Sequence, residues 1–289
     1  MSGGADSLCL LVLATVAGCV VTAWHVDHGL RAGSAQEADV VESAAAEYGA
    51  TFRSVTAVVP PGANLEARAR NARFAALPDG VLTGHTADDQ AETILLAILR
   101  GAGVDGLSAM GPGRHPLLGV RRSETVALCD AEGLTPVIDP TNAETVQVRN
   151  RVRHQLLPLA ADIAGRDVVP LLTRTAALLR GDAEVLRSAA DQLDPTDAAA
   201  LRAAPPGTAR RAVRAWLVTH VADGLPVYPP SADAVDRVLA VARGDVVACE
   251  VAGVGRISRH RQRLSIEGPR PSSASRPPPP SGPSPAGPG

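Results

Sequence analysis

The hydrophobic pattern of the first hundred residues switches repeatedly between two periods. Apolar residues spaced three to four positions apart predict helices, whereas short continuous or alternating apolar runs predict strands. The predicted helices cover residues 6–17, 34–49, 64–77 and 87–101, and the predicted strands cover residues 20–27, 51–59 and 80–85. Because strands that alternate with helices usually pair in parallel, this pattern predicts an α/β fold with a doubly wound, mostly parallel sheet.

The pattern changes after the turn at Pro112–Pro116. A long helix is predicted over residues 149–165, and a helical bundle interrupted at its prolines follows from about residue 168 to residue 243. Short alternating strands come next, and a tail of proline, serine and glycine typical of disorder ends the sequence. We therefore predict a large domain at residues 1–160, a helical second domain with short terminal strands at residues 161–267, and a disordered tail at residues 268–289.

Composition narrows the class of protein. Hydrophobic residues make up 45% of the chain and charged residues 20%, which is typical of a folded soluble protein. The four cysteines are scattered, without the CxxC pairs of zinc, iron–sulfur or redox sites, and this usage fits a reducing cytoplasm. The apolar run ending at Cys19 resembles the core of a secretion signal, but the first arginine is Arg31, so the positive head of a signal peptide is missing. No other apolar run approaches the length of a membrane span.

The chain contains no lysine, so arginine is its only strongly basic side chain. This excludes a Walker-type phosphate loop, a Schiff base and a covalent nucleotide on a protein lysine. Any amine in the chemistry must therefore arrive with a substrate.

The stretch SGGADS, residues 2–7, precedes the first predicted helix. Gly3 and Gly4 allow positive φ angles and a close approach of the backbone to a ligand, and the free amides at the front of a helix favour an anion. Ser2 and Ser7 add hydroxyl donors, and Asp6 suits a site that also holds Mg²⁺ or a cationic substrate. The sequence indicates a phosphate-binding loop, and an ordinary glycine turn before a helix is the alternative.

The stretch GHTADDQAET, residues 84–93, places acidic residues at the start of another predicted helix. Asp88 and Glu92 share a helical face, and Asp89 lies one position further round. Helix capping alone would explain any one of these acids. Together with His85, at the carboxyl end of a strand where ligands of parallel sheets bind, they predict a site for Mg²⁺ or another cation.

Two arginine clusters accompany these motifs. One lies in EARARNARF and includes Arg70 and Arg73, and the other lies in RNRVRHQLLP and includes Arg149, Arg151 and Arg153. A solvated helix face is the simplest explanation of either cluster. The functional interpretation is that some of these arginines bind the phosphates of a nucleotide and others bind an RNA backbone.

These motifs resemble the tRNA(Ile)-lysidine synthase family of PP-loop ATP pyrophosphatases over about residues 2–160. The matching stretches occur in the order of that family: SGGADS, HVDHGLR, EARARNARF, GHTADDQAETILLAILRGAGVDGLSAM, PLLGVRRSET and DPTN followed by RNRVRHQLLP. The resemblance implies a cytoplasmic ligase with ATP and Mg²⁺ as cofactors. The 2-carbonyl oxygen of the wobble cytidine in tRNA(Ile) with a CAU anticodon is adenylated, and free L-lysine then displaces AMP to form lysidine. The domain at residues 161–267 would bind the tRNA.

The resemblance also implies roles for individual residues. Asp6, Asp88 and Asp89 are expected to be catalytic, with Asp88 and Asp89 holding Mg²⁺ or the lysine ammonium group. The residues expected to bind the ATP phosphates are Ser2, Gly3, Gly4, Ala5, Asp6 and Ser7. The lysine and nucleotide pocket is expected to contain Arg70, Arg73, His85 and Glu92, and the phosphates of ATP or tRNA are expected to contact Arg149, Arg151 and Arg153. A homodimer is left open.

The chain departs from the family in three respects. The hydrophobic strand expected before SGG is missing, His115 stands where an arginine usually precedes PLL, and the second C-terminal domain of longer members is missing. We expect the true start to lie upstream, so that added upstream residues would improve both expression and ATP binding. Two alternatives to the lysidine reaction remain: tRNA thiolation on the same fold, and a truncated, inactive ATP-binding protein.

Overall fold

The first part of the structure is a helix followed by two parallel strands. The computed structural model describes residues 1–27, 34–59, 65–137, 148–221 and 230–268, with backbone only at residues 34–36, 65–67 and 70. Strands β1 (Thr22–Asp27) and β2 (Thr51–Thr56) pair in parallel, with Thr22 opposite Thr51. Helix α1 (Ala5–Val16) precedes β1, and α2 (Ser34–Glu47) provides the crossover that a parallel pair requires. The core between them includes Leu8, Leu11, Ala23 and Val41.

The predicted strand at residues 80–85 is wrong. These residues form no ladder with β1 or β2, and the amide of Thr83 donates instead to the carbonyl of Arg114 at 2.9 Å. The segment also passes very close to α1, because a Cβ atom on Gly84 would lie 2.5 Å from the carbonyl oxygen of Asp6. The apolar pattern favoured an extended backbone, but a strand also needs a neighbouring strand to pair with. The described part of the first sheet has two strands, and the predicted parallel α/β fold is confirmed.

Three more helices complete the predicted helical pattern of this part: α3 (Leu65–Ala75), α4 (Ala87–Leu99) and α6 (Arg122–Ala131). The short helix α5 (Val104–Leu107) and a 3₁₀ turn at Pro112–Arg114 lie between α4 and α6. Helix α4 begins with a capping box, because Thr86 and Asp89 each accept a hydrogen bond from the backbone amide of the other. Helix α6 begins where Glu124 accepts from the amide of Arg121 at 2.7 Å. These two caps fix the starts of both helices that carry the charged residues described below.

The helix predicted over residues 149–165 contains a π-helical turn. It consists of α7 (Val148–Arg151), the π turn Val152–Leu156 and α8 (Leu157–Ala164). Pro158 has no amide hydrogen for the carbonyl of His154, and its ring would crowd that carbonyl in a regular α-helix. The wider turn before Pro158 relieves this conflict and keeps the chain helical.

The contacts divide the chain into two compact units, Met1–Ala183 and Glu184–Gly289, and the division falls inside α9 (Val169–Asp191). The helical bundle predicted from about residue 168 is divided between the units within α9, and the second unit contains its later helices and the terminal strands: α10 (Ala198–Ala203), α11 (Pro206–Val218), α12 (Ala232–Arg243), and the antiparallel strands β3 (Ala248–Val251), β4 (Gly255–His260) and β5 (Arg263–Glu267). Its core includes Val213, Leu217, Val238 and Ile257. None of the helices in the described ranges is long and apolar enough to cross a membrane.

Candidate active site

The amino end of α1 forms the first part of the site. Gly3 has a φ of 72°, and a Cβ atom there would lie 2.9 Å from a methyl carbon of Val137, so the turn requires glycine. Gly4 is the N-cap residue, and no side chain in the described ranges caps the helix. The hydroxyl of Ser7 donates to the carbonyl of Gly4 at 2.9 Å, which closes the turn. Among the described residues, the amides of Ala5 and Asp6 therefore have neither a helical partner nor a capping side chain, whereas the amide of Ser7 donates to the carbonyl of Gly4 at 3.0 Å.

Arg122, the first residue of α6, connects this loop to the acids of α4. Its guanidinium lies 3.5 Å from a carboxylate oxygen of Asp6, 2.7 Å from one of Asp89 and 3.4 Å from one of Glu92. Asp6 also accepts a hydrogen bond from the hydroxyl of Thr125 at 2.5 Å. The arginine thus joins residues of α1, α4 and α6 that lie far apart along the chain.

Glu92 is fully buried and has three arginine partners. Arg153 donates to both carboxylate oxygens, at 2.6 and 3.1 Å, in addition to the contact from Arg122. The Nε atom of Arg149 lies 3.2 Å from Glu92 as an ion pair without hydrogen-bond geometry, while its NH2 group donates to Thr93 at 3.0 Å. A buried carboxylate requires such compensation, because desolvation of an unpaired charge is very costly.

Asp88 forms the outer edge of the site. Arg121 donates to its two oxygens at 3.1 and 3.0 Å, and the amide of Arg122 donates at 2.8 Å. Arg121 also pairs with Asp167, just before α9. A cleft of about 210 Å³ opens beside these side chains and is lined also by Leu157 and Val169. We refer to the eight charged residues as the arginine–carboxylate cluster: Asp6, Asp88, Asp89, Glu92, Arg121, Arg122, Arg149 and Arg153.

The carboxylates of the cluster differ in their protonation behaviour. Burial raises the pKa of Asp88 and of Asp89, but hydrogen bonds from Arg121 to Asp88 and the charge of Arg122 beside Asp89 outweigh it, so both pKa values lie below the usual range. Burial dominates at Asp6, whose pKa is raised in spite of Thr125 and Arg122. The surrounding acids raise the pKa of Arg122 although burial lowers it. Asp88 and Asp89 are therefore firmly ionised, whereas an ionised Asp6 is unfavourable for the fold.

We expect Asp6→Asn to stabilise the protein at pH 8 and to have less effect at pH 4. The pKa of Asp6 is higher in the folded state than in the unfolded state, where it is about 3.9, so the protonated side chain favours folding. This stabilisation is complete below the pKa of the unfolded state and is lost as pH rises through the pKa of the folded state. The amide removes the ionised form and still accepts from Thr125. Thermal unfolding at the two pH values measures the difference. A lower melting temperature of the variant at pH 8 would contradict this assignment.

The structure brings most of the predicted site residues together. Asp6, Asp88, Asp89, Glu92, Arg149 and Arg153 all belong to the cluster, beside the glycine loop. Arg151 is directed elsewhere: its Nε atom donates to Gln155 at 3.3 Å, beside an apolar cavity of about 340 Å³. Arg73 lies over the ring of Phe74 at 5.2 Å.

Two of the sequence predictions lie wholly or partly outside the described residues. They concern the side chain of Arg70 and the tail beyond residue 268. The roles that the resemblance implied for individual residues stay predictions, including the Mg²⁺ role of Asp88 and Asp89.

Sequence reasoning missed Arg121, Arg122, Thr125 and Asp167. The signal for the first three was present, because two adjacent arginines precede a capping glutamate in RRSET, within a motif shared with the family. Nothing local indicated that Arg122 would reach Asp6. Among the described residues, no three of the types His, Cys, Asp and Glu are grouped to hold a metal ion on their own.

Comparison with known proteins shows which family the sequence matches. The family model described as "PP-loop domain" matches residues 1–160. The curated tRNA(Ile)-lysidine synthase of Nocardia farcinica is 44% identical over 239 residues, covering 75% of this chain and 74% of that protein. That of Rhodococcus erythropolis is 42% identical over 242 residues, covering 78% and 74%.

A solved structure, the U34-tRNA thiolase NcsA from Methanococcus maripaludis, aligns with a TM-score of 0.49 and 18% identity, covering 62% of this chain and 71% of that one. The two lysidine synthases are ligases that form a carbon–nitrogen bond, and the matching PP-loop domain is one that uses ATP. The extent of these matches places the sequence in one group of tRNA-modifying enzymes: the chain belongs to the tRNA(Ile)-lysidine synthase family.

Proposed function

We propose that this chain converts the wobble cytidine of the CAU anticodon of tRNA(Ile) to lysidine, using ATP and free L-lysine in the cytoplasm. The observation that carries the proposal is the contact of Arg122 with Asp6, Asp89 and Glu92, because it places a glycine loop with uncapped helix amides beside an acidic pocket. A loop of that kind suits phosphates, and acids suit an ammonium group. A homodimer stays a prediction.

In the first step, the 2-carbonyl oxygen of cytidine attacks the α-phosphorus of ATP and pyrophosphate leaves. The loop of residues 2–7 would bind the phosphates through its amides and hydroxyls. Adenylation is needed because the carbonyl oxygen of cytosine is a poor leaving group, whereas the oxygen of AMP is a good one. Arg122 and Arg153 lie where they can offset the charge that develops on the phosphates.

The site fits Mg²⁺ that arrives with ATP. Such an ion usually keeps several waters and takes one or two protein carboxylates besides the phosphates. Asp88 and Asp89 each have a carboxylate oxygen that accepts one hydrogen bond, from Arg121 and Arg122 respectively, and that retains a lone pair. When bound, the ion would neutralise phosphate charge and favour departure of pyrophosphate.

In the second step, the amine of lysine forms a bond to C2 of the activated cytidine, and the C2–O bond breaks to release AMP. The carboxylates of Asp88, Asp89 and Glu92 would position the amine end of lysine by their charge. Their arginine partners would move toward the phosphate or the lysine carboxylate as the substrates enter. Arg70, Arg73 and His85 are proposed to complete the lysine and nucleotide pocket, and Arg149 and Arg151 to contact phosphates of ATP or tRNA.

The proposal is tested by incubating the protein with tRNA(Ile) transcript, ATP and isotopically labelled lysine, followed by mass spectrometry of the nucleosides. We expect labelled lysidine, and AMP release that depends on lysine. A transcript with uridine at the wobble position is the matched control and should remain unmodified. ATP binding without lysine-dependent AMP release would indicate an inactive nucleotide-binding protein, and sulfur in the product of a parallel incubation with sulfide in place of lysine would indicate a thiolation enzyme; either result would overturn the proposal.

A further inference from the structure

Two histidines next to the cluster share one threonine hydroxyl. The Oγ1 atom of Thr83 lies 2.6 Å from Nδ1 of His85 and 2.6 Å from Nδ1 of His115. The two rings contact edge to face, with centroids 4.8 Å apart and an interplanar angle of 82°. The hydrogen bond from the Thr83 amide to the Arg114 carbonyl holds the two segments together.

This geometry restricts where the protons can be. A threonine hydroxyl has one hydrogen, so it can donate to only one of the two Nδ1 atoms. The other ring must then carry a hydrogen on its own Nδ1 and donate it to the threonine oxygen. When both rings are neutral, one therefore has its proton on Nδ1 and the other on Nε2.

Several charged groups surround the pair. Asp89 on α4 interacts electrostatically with His85, and Arg114, the last residue of the 3₁₀ turn, directly precedes His115. Arg114 and Arg73 both lie against the ring of Phe74, at 5.9 and 5.2 Å. On the α1 side, the backbone of Asp6 packs against Gly84, next to His85. His85 is thus close to Asp89, and the residue before it packs against the backbone of Asp6 at the start of α1.

The proposed lysine step releases a proton that needs an acceptor. The ammonium group must lose a proton before its nitrogen can form a bond to carbon. Asp88 and Asp89 are held ionised by their arginine partners, which makes them weak bases. A neutral imidazole, with an ordinary pKa of about 6.5, is a better acceptor near neutral pH.

We propose that His85 accepts the proton of the attacking amine at Nε2, and that Thr83 and His115 are positioning residues that hold His85 in the required tautomer. This rests on the proposed function. In the arrangement that this proposal requires, His115 accepts the hydroxyl hydrogen of Thr83, so that a lone pair of the threonine oxygen faces the Nδ1–H of His85 and Nε2 of His85 is unprotonated; the two contacts of 2.6 Å allow this arrangement. The N–H bond of the ammonium breaks, its electron pair forms the new bond to C2, and His85 becomes an imidazolium. The C2–O bond breaks with its electron pair leaving on AMP, and the remaining surplus proton on the nitrogen passes to solvent.

The kinetic test compares adenylation with lysine transfer in Thr83→Val, Thr83→Ser and His115→Phe. General-base catalysis typically accelerates a reaction about 10²–10⁴-fold, and holding the base in the correct tautomer accounts for only part of that acceleration. Thr83→Val should therefore slow lysine transfer about 10- to 100-fold more than it slows adenylation. Thr83→Ser keeps the hydroxyl and should recover most of that rate, whereas His115→Phe should resemble Thr83→Val.

A second measurement tests the hydrogen-bond arrangement without activity. In ¹⁵N-histidine-labelled protein at pH 8, NMR should show Nδ1 protonated in His85 and Nε2 protonated in His115, and Thr83→Val should abolish this difference. The inference is overturned if both rings carry the same tautomer, or if Thr83→Val slows adenylation and transfer equally or slows neither. A wild type that forms no lysidine would instead overturn the proposed function, and the proton acceptor with it.

Discussion

Replacing Arg122 by alanine is expected to lower the free energy of unfolding of the N-terminal unit by about 3–5 kcal/mol, the usual effect of breaking a buried ion pair by removing one partner. The variant leaves Asp6, Asp89 and Glu92 with less positive charge in a mostly buried setting. Urea unfolding followed by the fluorescence of Trp24, in a Trp216→Phe background, reports on this unit because the chain has two tryptophans.

Two further variants make the result specific to Arg122. Arg122→Lys should recover only part of the loss, because a single ammonium group cannot reach three carboxylates in the way a guanidinium does. Arg210→Ala removes an arginine from an exposed pair with Asp236 and should leave the unfolding transition unchanged within error. Equal stability of Arg122→Ala and the Arg210 control would show that the cluster is not held together by this residue.

The helices and the first two strands could be predicted because their signals are local. The helix predicted at residues 6–17 and the strand predicted at residues 20–27 match α1 and β1 to within two residues at each end. The acids at the start of α4 were also predictable, since their spacing alone places them at the mouth of a helix. Both parts of the expected site could be located in this way without knowledge of how the chain folds.

The arrangement within the site depends on contacts that no local pattern encodes. Asp6 and Arg122 lie 116 positions apart, and only the packing of α1 on α6 brings them together. The failed strand at residues 80–85 has the same cause, because strand formation depends on a neighbour. The separation of Arg151 from Arg149 and Arg153 has a local cause instead. Residues two positions apart on a helix point in different directions, so the spacing alone indicates that Arg151 lies away from the other two arginines.

Asp89 has two roles in the structure, and substitutions can separate them. One oxygen accepts from the amide and hydroxyl of Thr86 in the capping box of α4, and the other pairs with Arg122 at 2.7 Å. Alanine removes both contacts, so Asp89→Ala is expected to reduce helix stability as well as activity, by about 1 kcal/mol from the cap alone. Asparagine keeps a capping oxygen but carries no charge.

Asp89→Asn is therefore expected to keep the native fold, with some loss of stability from the missing charge beside Arg122, and to lower lysidine formation by about 10²–10³-fold, in line with the loss of one well-placed electrostatic group at an active site. The reason is that a neutral amide can neither attract the lysine ammonium group nor share Mg²⁺ with the phosphates of ATP. Single-turnover formation of lysidine, measured with circular dichroism on the same samples, tests this. The control is Asp130→Asn, which removes one carboxylate from an exposed position on α6 and should leave the rate unchanged. If Asp89→Asn retained near-normal turnover, Asp89 would serve only to cap α4, and the acidic pocket for lysine would have to lie elsewhere.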